Sequence, residues 1–290
     1  MAKITDYLPD NTMLDDRFQI TKVIGGGGFS IVYLGKDLEN DEIIVLKEYF
    51  PAKLAKRNEK MEVVAKDDKS EKYFRQGRKL FFQEASILAS LEHENIVGIV
   101  GFVQAYGTIF TAMHYHKGLS LQAYIKKQGK RRSENFIRSI FVPILEGLEA
   151  VHEMGLLHLD IKPGNIYLRQ SSSPILLDFG AAHKLALSAD SRMFPVVSHG
   201  FSPPEQSKRK AKLGPWSDLY AIGATMRSCI EAKPPPSAKD RVKKNNMPPA
   251  AAVFTEHYSK RFLKAIDLTM ELDYEKRPQS IEEFLRVFKG

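Results

Sequence analysis

His158-Leu159-Asp160-Ile161-Lys162-Pro163-Gly164-Asn165 gathers an acid, a base and an amide into one short loop. The loop follows a long amphipathic helical pattern over residues 136–154. Further on, the apolar strand Ile175-Leu176-Leu177 leads into Asp178-Phe179-Gly180. Moving a phosphoryl group calls for a carboxylate that orients the attacking hydroxyl, a cation against the γ-phosphate and an amide for metal. Asp160, Lys162 and Asn165 supply those types. Asp178 adds a second carboxylate suited to Mg²⁺, which favours oxygen ligands.

Upstream of the loop the texture is sheet-like. Residues 18–24, 31–34 and 43–47 read as strands, as do 96–102 and 108–115. A polar stretch at about residues 51–75 interrupts them. Residues 81–91 then repeat apolar side chains at i, i+3, i+4 and i+7 like a helix. Gly25-Gly26-Gly27-Gly28 sits between the first two strands. Glycine permits a tight turn or a close approach of backbone to phosphate, and the run alone fits either. A Walker-type loop is excluded because no Gly-Lys-Ser/Thr ending follows and a strand comes next. Lys47 ends the apolar run Ile44-Val45-Leu46, so it either reaches water or is a buried cation needing a partner. Glu84 on the following helix is the candidate partner, although taken alone each reads as a surface charge.

Downstream, residues 216–230 are apolar nearly all round and predict a buried helix; 262–272 and 281–288 predict two more. Strands first and helices after describe an α+β chain or two lobes, with a hinge near residues 113–118. The 290 residues, 43% hydrophobic, suit one large domain or two lobes sharing a cleft. A charged content of 27% excludes a disordered or membrane composition. No apolar run long enough for a membrane span appears, and the start lacks the apolar core of a secretion signal. The single cysteine, Cys229, rules out an internal disulfide and fits a reducing, cytoplasmic setting. Within its apolar stretch it reads as a small buried hydrophobe. The eight histidines show no metal-ligand spacing. The net charge of +8 is spread along the chain, so it reads as a solvated surface and no nucleic-acid partner is expected.

Taken in order, these motifs resemble the protein kinase family over residues 18–288. The resemblance implies an α+β, bilobal fold. Residues 1–113 would form a small antiparallel-sheet N-lobe with its C helix, 114–118 the hinge and 119–290 a larger helical C-lobe. Gly25, Gly27 and Phe29, with Val32, match the glycine-rich loop. Lys47 matches the strand lysine that binds the α- and β-phosphates, and Glu84 its helix partner. Asp160 matches the catalytic aspartate and Asn165 the metal-binding asparagine. Asp178 matches the aspartate of the Asp-Phe-Gly motif, and Lys162 the loop lysine typical of serine/threonine kinases. ATP with Mg²⁺ (or Mn²⁺) is the implied cofactor, and protein Ser/Thr hydroxyls are the implied acceptors. Ile24, Val45, Met113, Tyr115 and Tyr167 are the implied walls of the adenine site. Ser198 resembles the Thr that bonds the aspartate and lysine. Pro203-Pro204-Glu205 with Arg277, and Asp218, resemble the structural anchors beneath the loop. Lys47-Glu48-Tyr49-Phe50-Pro51, the polar insertion, Asn165-Ile166-Tyr167-Leu168-Arg169 and Pro204-Glu205-Gln206 are similar to bacterial members.

Several positions depart from the pattern. Ser30 stands for the third loop glycine, Val45 for a usual Ala and Tyr167 for a usual Leu. Leu159 replaces the Arg that ordinarily pairs with an activation-loop phosphate, which predicts a domain needing no such phosphate. Ser188 and Ser191 are the nearby serines, read as polar filler. His158 is expected to pack against Phe179. The basic runs at 208–212 and 241–244 either recruit acidic substrates or form solvated faces, the second being the expectation. A scaffold without phosphotransfer, and a small-molecule kinase, are the rival functions. The oligomeric state is not read from the sequence.

Overall fold

The computed structural model describes residues 6–170, 173–179, 197–208 and 211–289, plus the backbone of His183 and Lys184; the side chain of Glu84 lies outside the description. The chain divides into two compact units: Met1–Glu92 with Val97–His116, and His93–Ile96 with Lys117–Gly290.

The first unit is built on β1 (Met13–Leu14), β2 (Phe18–Gly26), β3 (Ser30–Asp37), β4 (Glu42–Tyr49), β5 (Ala55–Arg57), β6 (Val63–Ala65), helix α1 (Asp68–Leu88), β7 (Ile99–Ala105) and β8 (Thr108–His114). Six of these strands form one sheet in the order β1-β2-β3-β4-β8-β7, and its paired strands are antiparallel. Strand β3 alternates strictly, burying Ile31, Tyr33, Gly35 and Asp37 on one face. Gly35 is required there, since a Cβ would lie 2.7 Å from Leu46 Cδ1 and 2.8 Å from the Gln19 carbonyl. Leu14, Phe18, Ile20, Ile31, Ile44, Leu46, Phe50 and Phe110 make the core.

Three expectations are corrected in this unit. The polar stretch is not a plain interruption: β5 and β6 pair within it, and α1 already begins at Asp68, with the Asp67 side chain accepting from Ser70 N at 2.8 Å. The helical period was visible only in its apolar second half, because the first half is polar. Lys47 does not end its strand, which continues to Tyr49. Ile96 is not in β7; it bridges Leu176 in the second unit.

What fastens the insertion is a buried ion pair. Arg57 Nη2 donates to both Glu48 oxygens at 2.8 and 2.7 Å, and Tyr33 Oη donates to Glu48 at 2.8 Å. Arg57 also donates to the carbonyls of Asp6 and Met61, so its fork is filled. Burial pushes the Glu48 carboxyl up, and Arg57 opposes that shift.

The second unit contains β9 (Gly118–Ser120), α2 (Leu121–Gln128), α3 (Glu134–Glu153), β10 (Leu156–Leu157), β11 (Ile166–Arg169), β12 (Pro174–Leu176), β13 (His183–Lys184), α4 (Pro215–Glu231), α5 (Ala238–Lys243), α6 (Ala250–Val253), α7 (Lys260–Thr269) and α8 (Ile281–Lys289). Helix α4 is buried from Ser217 to Ile230, as its all-round apolar sequence predicts. It approaches α7 so closely that a Cβ on Gly223 would collide with Thr269 Oγ1. Helices α3, α7 and α8 complete the core through Phe141, Ile144, Phe262, Ile266, Phe284 and Phe288. Cys229 lies in α4, fully buried, and burial pushes its thiol up to about 12. No helix among the described residues is long and apolar enough to cross a membrane.

Candidate active site

Each unit carries part of the expected residue set. In the second unit the loop after α3 brings the polar groups together. Asp160 Oδ1 accepts from Ser198 Oγ at 2.6 Å, and Oδ2 accepts from Lys162 Nζ at 2.7 Å and Asn165 Nδ2 at 3.0 Å. Lys162 Nζ also donates to Ser198 Oγ at 3.1 Å, closing a ring of acid, hydroxyl and amine. Asn165 Nδ2 bonds the Asp160 carbonyl as well, at 2.8 Å. With its amide nitrogen used twice on Asp160, Asn165 keeps its oxygen available as a hard ligand. The Asn165 carbonyl accepts from Leu177 N at 2.8 Å, which ties the loop to the residue before Asp178. Asp160 and Asn165 are buried, whereas the Lys162 side chain is about one-third exposed, at 32%.

The loop is held from beneath. Asp218, in the first turn of α4, accepts from the backbone N–H of His158 at 2.9 Å and of Leu159 at 2.7 Å, and pairs with His152 Nε2 at 2.8 Å. Burial would raise this carboxyl, yet His152, His158 and the Leu159 N–H together hold it below the usual carboxylate range. The bonds matter because Leu159 sits at φ 59°, in the left-handed region that a non-glycine side chain resists. Gln206 Nε2 donates to the Leu159 carbonyl at 2.5 Å, and the Leu159 side chain packs with Leu157 and Leu213. Asp178 is also left-handed, at φ 63°.

His158 is a packing residue, as expected. Its ring lies 4.5 Å from that of Phe179. Nδ1 accepts from Asp160 N, so Nε2 carries the proton and donates to the Leu177 carbonyl at 3.0 Å. Burial lowers the ring's pKa, consistent with that neutral tautomer. The Glu205–Arg277 pair is formed too, at 2.7 and 3.2 Å, with Arg277 also donating to the carbonyls of Glu271, Leu272 and Trp216. Tyr167 lies in β11, opposite Ser120 and Ile175.

In the first unit, strand register gathers the remaining candidates. Val32 pairs with Gly25 and Lys47, Lys47 with Thr111, and Val45 with Met113. Paired residues and those two apart share a face, so Gly25, Val32, Val45, Lys47 and Met113 line one side of the sheet. Lys47 is buried, 7% exposed, with Nζ 5.9 Å from the Phe81 ring centre. Of its two sequence readings, the buried cation is the correct one. Glu84 is on α1, its side chain outside the described residues. Ile24, Phe29 and Tyr115 are exposed, and Tyr115 lies one residue past β8.

The glycine run resolves in an informative way. Gly27 N donates to the Ser30 carbonyl at 2.8 Å, making a tight β2–β3 turn. None of Gly25–Gly28 has a positive φ, and a Cβ at Gly27 or Gly28 would meet nothing within 4 Å. Neither the turn nor packing among the described residues therefore demands glycine at those two positions; what glycine leaves there is room over the sheet face.

Sequence reasoning missed Thr111. It shares the Lys47 face, is buried, and its Oγ1 has no hydrogen-bond partner among the described residues. Only the β4–β8 register could have found it. One basic run is also reread: Arg241 is buried and donates to Tyr220 Oη and the Met270 carbonyl, so it is structural and not part of a recruiting face. Ser188, Ser191, Arg209 and Lys210 lie outside the described residues.

An antiparallel sheet with a buried strand lysine, and a helical unit whose loop joins Asp, Lys and Asn, define the kinase fold class. The chain belongs to the protein kinase domain family, which matches it over residues 18–287. It is 30% identical over 236 residues to serine/threonine-protein kinase D of Synechocystis, covering 78% of this chain and 43% of that protein. It is 27% identical over 271 residues to a probable serine/threonine-protein kinase PknB of Lactococcus lactis, covering 92% and 38%. The chain thus spans less than half the length of these relatives. A solved structure, the apo form of PpkA-294, superposes with a TM-score of 0.84 at 31% identity, covering 97% of this chain and 99% of that one.

Proposed function

We propose that this domain is a serine/threonine protein kinase that transfers the γ-phosphate of ATP to Ser or Thr hydroxyls of protein substrates, its own included, in the cytoplasm. The observation that carries the reading is the ring formed by Asp160, Ser198 and Lys162, with Asn165 bonded to the same carboxylate. An acceptor hydroxyl approaching Asp160 gives its proton to the carboxylate while its oxygen attacks the γ-phosphorus. The bond to the bridging oxygen of ADP breaks as the new P–O bond forms. Lys162, partly exposed beside that carboxylate, offsets charge on the moving phosphoryl group.

The remaining roles follow residue type. Asn165 and Asp178 are hard oxygen donors, and the Asn165 amide is oriented with its nitrogen on Asp160, leaving its oxygen without a partner among the described residues; that set fits Mg²⁺ or Mn²⁺. When bound, the ion neutralises phosphate charge. Lys47, with Glu84 as its partner, holds the α- and β-phosphates. Gly25, Gly27 and Phe29 cover them. Ile24, Val32, Val45, Met113, Tyr115 and Tyr167 enclose the adenine.

The test uses γ-labelled ATP and Mg²⁺ with the protein itself and a generic basic protein. Label should appear on Ser or Thr, and Asp160→Asn should lower the rate by about 10²–10⁴-fold with the fold retained. Nucleotide binding without any label in the unaltered protein would refute the reading.

A further inference from the structure

A cleft of about 830 Å³ opens in the second unit beside the segment that carries Ser198. Its lining includes His199, the next residue after Ser198. The neighbouring wall is Pro234-Pro235-Pro236, and the two are locked together. Gly200 sits at φ 84°, and a Cβ there would come within 2.5 Å of the Pro235 carbonyl. Ser198 N bonds Ser202 Oγ at 2.9 Å, and Phe201 N and Ser202 N both return to the Ser198 carbonyl at 3.0 Å. The cleft therefore has a fixed position relative to Asp160, which Ser198 touches.

The lining is basic. Arg227 is matched by Glu231 at 2.7 Å and by the Pro248 carbonyl, so this pair is internally satisfied. That leaves Arg131 and Lys233, both exposed, with no carboxylate at ion-pair distance among the described residues. The Arg131 guanidinium is stacked 5.3 Å from the centre of the buried Phe254 ring, which orients it on the rim. A floor of proline and Phe254 with two unmatched cations above it complements a polypeptide carrying carboxylates, while Glu231 is already used and offers little to a basic one.

We infer that this cleft is a specificity site for acidic residues flanking the acceptor Ser or Thr of the protein substrate, read by Arg131 and Lys233. This rests on the kinase reading of the Asp160 loop. An extended peptide advances about 3.3 Å per residue. With its hydroxyl at Asp160, its neighbours a few positions away reach the His199 side of the cleft. The attraction is between exposed charges, so it weakens with salt.

The test compares two Ser peptides, one flanked by glutamates and one by alanines, with the unaltered protein and with Arg131→Glu/Lys233→Glu. The unaltered protein should favour the glutamate peptide. The double reversal should raise its KM by about tenfold and leave the alanine peptide unchanged. The neutralising variant Arg131→Gln/Lys233→Gln should fall between. Equal losses on both peptides, no loss on either, or no preference of the unaltered protein for the glutamate peptide would overturn the inference. If neither peptide is labelled and the protein does not label itself, the kinase reading fails; whenever the peptides go unlabelled, binding of the dye-labelled glutamate peptide by anisotropy decides for the cleft. A Kd weakened about tenfold by the double reversal sustains the site, and no binding to the unaltered protein removes it.

Discussion

At φ 59° Leu159 holds the strained position from which Asp160 is presented, and two backbone N–H groups on Asp218 keep it there. Replacing Asp218 by Ala orphans both donors, at about 1–3 kcal/mol each. We therefore expect a stability loss of about 2–6 kcal/mol in urea unfolding, together with lost phosphotransfer. The pH dependence follows from two depressed groups. The buried His158 binds its proton less readily folded than unfolded, so stability declines as pH drops below about 6.5. Asp218 contributes stability above its unfolded pKa of about 4 and loses it below. Scanning Tm against pH should show the first decline in the native protein and a smaller one in His158→Phe; identical slopes between pH 7 and 5 would contradict this. Leu159 packs among apolar side chains where a phosphate-pairing Arg is usual, so Ser188→Ala/Ser191→Ala should leave the labelling rate unchanged. The polar actors of the site were readable because their chemistry lies in residue type and order. The strain at Leu159, the buried hydroxyl of Thr111, which has no partner among the described residues, and the burial of Arg241 were not, since each is created by distant contacts.

Among elements, β5 and β6 show what a hydropathy pattern hides. Residues 51–75 are polar, yet Arg57 enters the core against Glu48 and closes a network with Tyr33. Removing one member of a buried pair leaves an uncompensated charge, so Arg57→Met should cost about 3–5 kcal/mol. Adding Glu48→Gln should recover much of that loss in chemical denaturation, because the uncompensated carboxylate is then gone. If the double variant is no more stable than the single one, packing and not charge dominates. In the main sheet β2, β3, β4, β7 and β8 are legible to within a few residues, because their alternation is local, whereas the two-residue β1 carries no pattern and is not expected from the sequence. Helix α1 was recognised only from residue 81, since its first three turns lack an apolar stripe.

For the whole molecule, the path of the chain matters more than its two-part division. Residues 93–96 belong to the second unit although the chain returns to the first at Val97. Asn95 takes Leu176 N on its carbonyl at 2.7 Å and donates to the Pro174 carbonyl at 2.8 Å, while Ile96 is buried. A cut at 116/117 removes these partners, so a 117–290 fragment should unfold at lower urea than the same residues in the full chain. Equal midpoints would show that residues 93–96 contribute nothing to that unit. The sequence suggested a hinge near 113–118 from a change in texture, but a four-residue excursion leaves no compositional trace. The lone sulfhydryl, sealed inside α4 with its thiol pushed up to about 12, has a practical corollary. Maleimide dyes and spin labels should ignore the folded native chain. A cysteine introduced at an exposed residue such as Lys239 would be its single reactive handle, and a fluorophore there would report from that place alone.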